Sequence, residues 1–342
     1  MIDNWFLNVI FVKTFLMEGI ENYAKSLQNY LNEVVTIKEP KKLYEPIKYI
    51  VSLGGKRLRP VLTLMTCDFF NKDIKEALPA ALALELFHNF SLIHDDIMDE
   101  APLRRGKETV HHKWDLNTGI LSGDALLILA YQLFENYEPK KFSELAKLFS
   151  TTALQVCEGQ QYDVDFETRN DVTIPEYLKM IEYKTAVLIG AAMKMGAIVA
   201  GASENCKVNT YEFGRNLGIA FQLQDDYLDC FGNPKTFGKK VGGDIITNKK
   251  TFLYLKTLQR SNETDARILK QLFSIFPEDP SEKVEQVKEL YVKSGAAKES
   301  LQEIIKKNKE ANASTVDFKL YFNILLVLVS FINIRQPFFF NP

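Results

Sequence analysis

Apolar positions recur at helical rather than alternating spacing almost throughout the chain, and no stretch rich in Gly, Ser or Pro divides it. One helical domain is the simplest parse. Thr173 and Glu176 have capping-box spacing, Pro175 falls in the first turn, and Ile181, Leu188 and Ile189 carry an apolar pattern to about Ala200. This predicts a long, mostly buried helix. Pro280 and Ser281 open a charged amphipathic stretch that Gly295 closes, the pattern of a surface helix. The run from Leu320 to Ile334 is strongly apolar but is broken by Asn323 and Ser330. It is shorter than the roughly 20 residues a spanning helix needs, so it reads as a last core helix and not as a membrane anchor.

Composition agrees with helices. With only 17 Gly and 12 Pro in 342 residues, an all-β chain with many tight turns is excluded, and 46% apolar residues can bury a large core. Because 42 Lys and Arg stand against 44 Asp and Glu, bulk positive charge cannot drive nucleic-acid binding, and any anion site must be locally concentrated. Cys67, Cys157, Cys206 and Cys230 show no CxxC spacing, which argues against a disulfide framework or a zinc site and for a reducing, cytoplasmic compartment. The apolar N-terminus carries Asp3 where an export signal needs positive charge, so it is not read as one.

Two apolar segments end alike, in LIHDDIMDE at 92–100 and FQLQDDYLDC at 221–230, each with Asp at i, i+1 and i+4. On a helix, Asp95 with Asp99 and Asp225 with Asp229 then each point two carboxylates in one direction. Like charges at that spacing repel, and an oxygen-only donor set without Cys favours Mg²⁺. Seven residues make nearly two turns, so His88 lies within roughly 20° of Asp95 on the wheel and can face the same cleft.

Basic residues complete the pattern. In GGKRLRP at 54–60, Gly54 and Gly55 allow a tight turn with accessible N–H groups, Lys56, Arg57 and Arg59 supply charge, and Pro60 suits the start of a helix. No GxxxxGK[ST] is present, so nucleotide hydrolysis is not implied. Arg104 and Arg105 follow the first acidic motif beyond Pro102, and Lys239, Lys240 and Lys249 follow the second. Lys184, beside Thr185, sits in the apolar helix from Pro175 and needs a counter-charge there. Carboxylates, metal and several cations together suit a diphosphate.

From Leu43 to Ser300 these ordered motifs resemble the trans-isoprenyl diphosphate synthases, the short-chain prenyltransferases that include farnesyl and geranylgeranyl diphosphate synthases. The resemblance implies an all-α bundle of about ten or more helices around a central cavity and a homodimer. It also implies a reaction in which isopentenyl diphosphate extends an allylic diphosphate, with three Mg²⁺ ions per active site. By position, Asp95, Asp99 and Asp225 would ligate the metal with Asp96 and Asp229 in support. Arg104, Lys184, Lys239 and Lys249 would contact the allylic diphosphate, with Thr185 and Gln222 beside the reacting carbons. Lys56, Arg59, His88 and Arg105 would hold isopentenyl diphosphate, helped by Arg57.

Phe90 and Ser91 occupy the fifth and fourth positions before Asp95, and no two-residue insertion interrupts the motif. That resembles the archaeal-type geranylgeranyl synthases more than the farnesyl synthases, so a twenty-carbon product is expected. On the wheel a growing chain passes Ser91 before Phe87 or Leu84. The domain is expected over 17–314, with 1–16 as an extension ahead of Met17 and 315–342 as an atypical apolar segment. A class I terpene cyclase is disfavoured because its second metal motif would be of the Asn/Ser/Glu kind and it has no use for GGKRLRP. A non-catalytic partner subunit should have lost one acidic motif or the basic triad. A helical scaffold with incidental charge would bind no diphosphate.

Overall fold

The computed structural model describes residues 19–233 and 241–313. The N-terminal extension, Lys239 and Lys240, and the apolar C-terminal segment lie outside the described residues. Helices run in the order α1 (19–34), α2 (Lys41–Ser52), α3 (Leu58–Phe69), α4 (Leu78–Met98), α5 (Val110–Lys113), α6 (Leu116–Gln132), α7 (Pro139–Thr168) and α8 (Ile174–Ile181). A π-helical turn at Glu182–Ala186 leads into α9 (Val187–Ala200), followed by α10 (Glu204–Phe231), α11 (Gly243–Ile246), α12 (Phe252–Arg260), α13 (Glu263–Leu272), α14 (Ser281–Lys293) and α15 (Ala296–Ala313). Among the described residues the only strands are β1 (Leu103–Arg104) and β2 (Lys107–Glu108), so the protein is all-α.

The described residues fall into two compact units, one built on residues up to Ala153 with Ala191–Tyr211, the other on Leu154–Gly190 with residues from Glu212. In the first, Val61, Leu64, Leu82, Leu86 and Phe87 are buried, and Phe149 packs its ring 5.3 Å from Phe87 and 5.2 Å from Phe134. Gly196 lets α9 approach α3 closely, since a Cβ there would collide with the Thr63 carbonyl. In the second, Tyr177, Leu223, Leu253, Val287 and Tyr291 form one core. The capping box expected at Thr173 is formed in both directions, with the Thr173 N–H donating to Glu176 Oε2 at 2.8 Å. The long helix expected from there to Ala200 is interrupted by the π turn, which apolar periodicity does not reveal.

Helix ends set the functional residues. α4 stops in a Schellman arrangement: the Ala101 N–H donates to the Asp96 carbonyl at 2.9 Å and the Glu100 N–H to the Ile97 carbonyl at 3.3 Å. Glu100 takes the left-handed conformation usual for glycine there, with φ 48°. Asp99 is thereby held as the cap residue, one turn beyond Asp95. The β1–β2 hairpin turns through Arg105 (φ 54°) and Gly106 (φ 73°), the two left-handed residues that a type I′ turn requires.

Candidate active site

The first unit contains Lys56, Arg57, Arg59, His88, Asp95, Asp96, Asp99, Arg104 and Arg105, and the second contains Lys184, Thr185, Gln222, Asp225, Asp229 and Lys249. Lys239 lies outside the described residues.

In the first unit the GGKRLRP turn uses positive φ at Gly54 (74°), Gly55 (138°) and Arg57 (48°) before α3 begins. The Arg105 guanidinium lies over this turn, so a Cβ at Gly55 would come within 2.7 Å of it. Arg59 Nη1 is 3.4 Å from His88 Nε2, and the buried Arg59 Nε has no hydrogen-bond partner. Burial, reinforced by Arg59, Arg105, Arg104 and Arg57, holds the His88 imidazole well below its usual pKa. It therefore stays neutral amid four guanidiniums and can still exchange hydrogen bonds with an anion. Burial also lowers the Arg59 guanidinium, an effect Glu85 opposes. An orphaned buried donor beside a cationic turn suits a polyanion.

Asp95 is half-buried and Asp99 exposed at the end of α4, whereas Asp96 is buried. Its carboxylate accepts from Arg104 Nε at 2.9 and 2.8 Å and from Nη2 at 2.7 Å. Arg57 is also engaged, pairing with the buried Glu85 and donating to the Val51 carbonyl.

In the second unit the π turn places consecutive residues on two partners. Lys184 Nζ donates to Asp163 Oδ2 at 2.6 Å, and Thr185 Oγ1 donates to Gln222 Oε1 at 3.2 Å. Gln222 Nε2 in turn donates to Asp226 Oδ1 at 3.0 Å, and the Tyr177 hydroxyl donates to Asp226 Oδ2. Two glycines make room for this turn: a Cβ at Gly159 would overlap the Lys184 backbone, and one at Gly218 would lie 2.6 Å from Ala186 Cα. The α7 C-terminus that follows Asp163 is capped by Lys250, whose Nζ donates to the Phe166 and Glu167 carbonyls at 3.1 Å.

Around the second motif, Asp229 Oδ2 accepts the Asp244 N–H at 2.9 Å and orders the turn of α11. Burial, then Asp226, pushes the Asp244 carboxyl up to about 7, and burial pushes Asp226 up to about 6. Lys249 loses stability as a cation by burial but gains more from Asp163, Asp244, Asp226 and Asp225, so its pKa is raised. Excess carboxylate charge held by oxygen donors alone fits a hard divalent cation. Among the described residues no three His, Cys, Asp or Glu side chains form a ready-made metal centre.

The sequence motifs did not single out Glu85, Asp163, Tyr177 or Asp244. Glu85 carried a signal, being a lone acid in the apolar run ALALELF, where a charge needs a partner. Asp163 lies in a polar stretch of α7 and carried none.

Residues 40–294 match the family model described as polyprenyl synthetase. The chain belongs to the polyprenyl synthetase family. It is 39% identical over 252 residues to a geranylgeranyl diphosphate synthase of Methanosarcina mazei, covering 73% of this chain and 78% of that protein. A crystal structure of a geranylgeranyl pyrophosphate synthase superposes with TM-score 0.87 at 50% identity, over 93% of this chain and 99% of that one. A polyprenyl synthase of Caulobacter crescentus, crystallised with calcium and isoprenyl diphosphate, superposes with TM-score 0.78 at 26% identity, over 93% and 98%. As a polyprenyl synthetase, this chain is a prenyl-transferring enzyme.

Proposed function

We propose that the protein is a short-chain trans-prenyltransferase that condenses isopentenyl diphosphate with dimethylallyl, geranyl and farnesyl diphosphates and releases geranylgeranyl diphosphate. The observation that carries this reading is the cationic cradle of the first unit, where a neutral His88 stands 3.4 Å from Arg59 and the Arg105 guanidinium covers Gly55. His88 lies on the same helix, α4, as Asp95, and Asp99 caps that helix. The product names of the relatives at 39% and 50% identity support the twenty-carbon end point.

Lys56, Arg59, His88 and Arg105 hold isopentenyl diphosphate in this scheme. Lys184, Lys249, Arg104 and, by its place in the motif, Lys239 set fixed positive charge where the allylic diphosphate departs. Such charge stabilises the transition state more than the ground state, because the leaving group gains charge as its C–O bond breaks. Mg²⁺ held by Asp95, Asp99, Asp225 and Asp229 would supply further charge neutralisation on that diphosphate. Thr185 and Gln222, linked at 3.2 Å, position the allylic carbon for attack by the double bond of isopentenyl diphosphate. Loss of a proton to the released diphosphate completes the step.

We also propose a cytoplasmic homodimer. The location is supported by cysteine usage, and the dimer by Leu121 and Ile128, seven residues apart on one face of α6 and 59% and 58% exposed. A second copy of this chain would cover that face, and sedimentation at two protein concentrations tests it.

The deciding assay incubates purified protein with radiolabelled isopentenyl diphosphate, Mg²⁺ and each allylic primer, and separates the dephosphorylated products by length. A C20 product is expected. No elongated product would overturn the synthase reading, and a C15 end point would overturn the product length alone.

A further inference from the structure

Glu85, a carboxylate only 4% exposed, lies beside the cationic cradle of the first unit. It lies in α4 three residues before His88, so the two share a helix face. Its Oε1 accepts from Arg57 Nη1 and, at 2.8 Å, from Asn89 Nδ2. Arg57 sends its other terminal nitrogen to the Val51 carbonyl at the end of α2. With both terminal nitrogens engaged and its side chain 8% exposed, Arg57 is a strut between α2 and α4. Its backbone is the cap of α3: it stands at φ 48°, a conformation side chains seldom adopt, and its carbonyl accepts the first helical N–H, from Val61, at 3.1 Å. Lys56 precedes this residue and Arg59 follows two positions on.

We infer that Glu85 is a positioning residue for isopentenyl diphosphate: by clamping Arg57 it fixes the left-handed turn that carries Lys56 and sets Arg59 beside His88. The role rests on the proposed activity. Its charge also opposes the depression that burial imposes on the Arg59 and Arg105 guanidiniums, keeping the cradle cationic.

The test is steady-state kinetics of the full chain with Glu85→Gln, Arg57→Gln and the double variant. Each single change is expected to raise KM for isopentenyl diphosphate about tenfold while KM for farnesyl diphosphate stays within about twofold. The double variant should be no worse than the poorer single one, because both remove the same clamp. A merely structural role would lower the melting temperature and the active fraction and leave the KM ratio unmoved. Should Glu85→Gln be recovered only as aggregate, Asn89→Ala keeps the carboxylate, drops one donor and is read by the same ratio. An active wild type with an unchanged ratio in the folded variants overturns this role alone. A wild type without turnover brings down the proposed activity, and this role with it.

Discussion

Arg104 grips the buried carboxylate of Asp96 with Nε at 2.9 and 2.8 Å and Nη2 at 2.7 Å, joining the β1–β2 hairpin to the end of α4. The middle acid of the first DDxxD therefore has a structural partner, while Asp95 and Asp99 lie one turn apart at the end of α4. In the proposed reaction the three carboxylates of one motif divide between holding the scaffold and serving the chemistry.

This division predicts opposite phenotypes for adjacent residues. Asp96→Ala leaves a largely buried guanidinium without its partner and is expected to cost about 3 kcal/mol in unfolding free energy. Asp95→Ala should abolish turnover with little change in melting temperature, because in the proposed reaction it removes a metal ligand and not packing. Thermal unfolding and product assays on the two variants check this. Full activity in Asp95→Ala would show that the metal is held elsewhere.

The π turn at Glu182–Ala186 predicts a second pair. Gly159 and Gly218 leave no room for a methyl group, since a Cβ at Gly218 would stand 2.6 Å from Ala186 Cα. Overpacking of this kind costs roughly 1–3 kcal/mol and displaces the turn that aims Lys184 and Thr185. Gly159→Ala is expected to lower kcat more than about tenfold while KM for isopentenyl diphosphate holds, since in the proposed reaction Lys184 serves the departing diphosphate. A kcat at the wild-type level would separate the π turn from the reaction.

His88 predicts a pH dependence of stability. Its folded pKa is depressed well below the ordinary histidine value, by burial first and the surrounding guanidiniums second. Below about pH 6.5 the unfolded chain takes up a proton that the folded chain refuses, so stability is lost as pH falls, by at most about 1.4 kcal/mol per pH unit. Above that pH His88 contributes no slope. His88→Gln should flatten the melting temperature between pH 7 and 5 relative to wild type, and an unchanged slope would mean that His88 is protonated in the fold.

The helical class was legible because period and composition agree, and the two acidic motifs were legible because their spacing puts carboxylates on one helix face. The π turn was not, since Tyr183, Lys184 and Thr185 fit an α-helical pattern and only contact with Gly159 and Gly218 distinguishes the wider turn. Asp163 and Tyr177 were hidden for a similar reason. Their partners, Lys184 and Asp226, are 21 and 49 residues away, and no local pattern encodes such pairs. Glu85 was readable in principle, because a lone acid in an apolar run demands a cation. The identity of that cation, Arg57, comes only from the fold.

In the proposed reaction product length turns on the face of α4 that runs back from Asp95. Ser91 is half-buried one turn before the motif, and its hydroxyl donates to the His88 carbonyl at 2.9 Å, so it offers a chain growing along α4 little bulk. Beyond it Phe87 is 1% exposed, with the Phe90 ring at 5.5 Å and the Phe149 ring at 5.3 Å, and Leu84 is fully buried. An aromatic ring at 91 would meet the prenyl chain a turn earlier than Phe87 does. Ser91→Phe is therefore expected to shift the product from C20 towards C15 with stability nearly unchanged, because a half-buried site loses no core contact. Phe87→Ala should admit longer products, but at about 3–5 kcal/mol of stability, since that ring is part of the core. Product chain length measured beside melting temperature separates the two effects. A C20 product from Ser91→Phe would mean that the chain grows along another face.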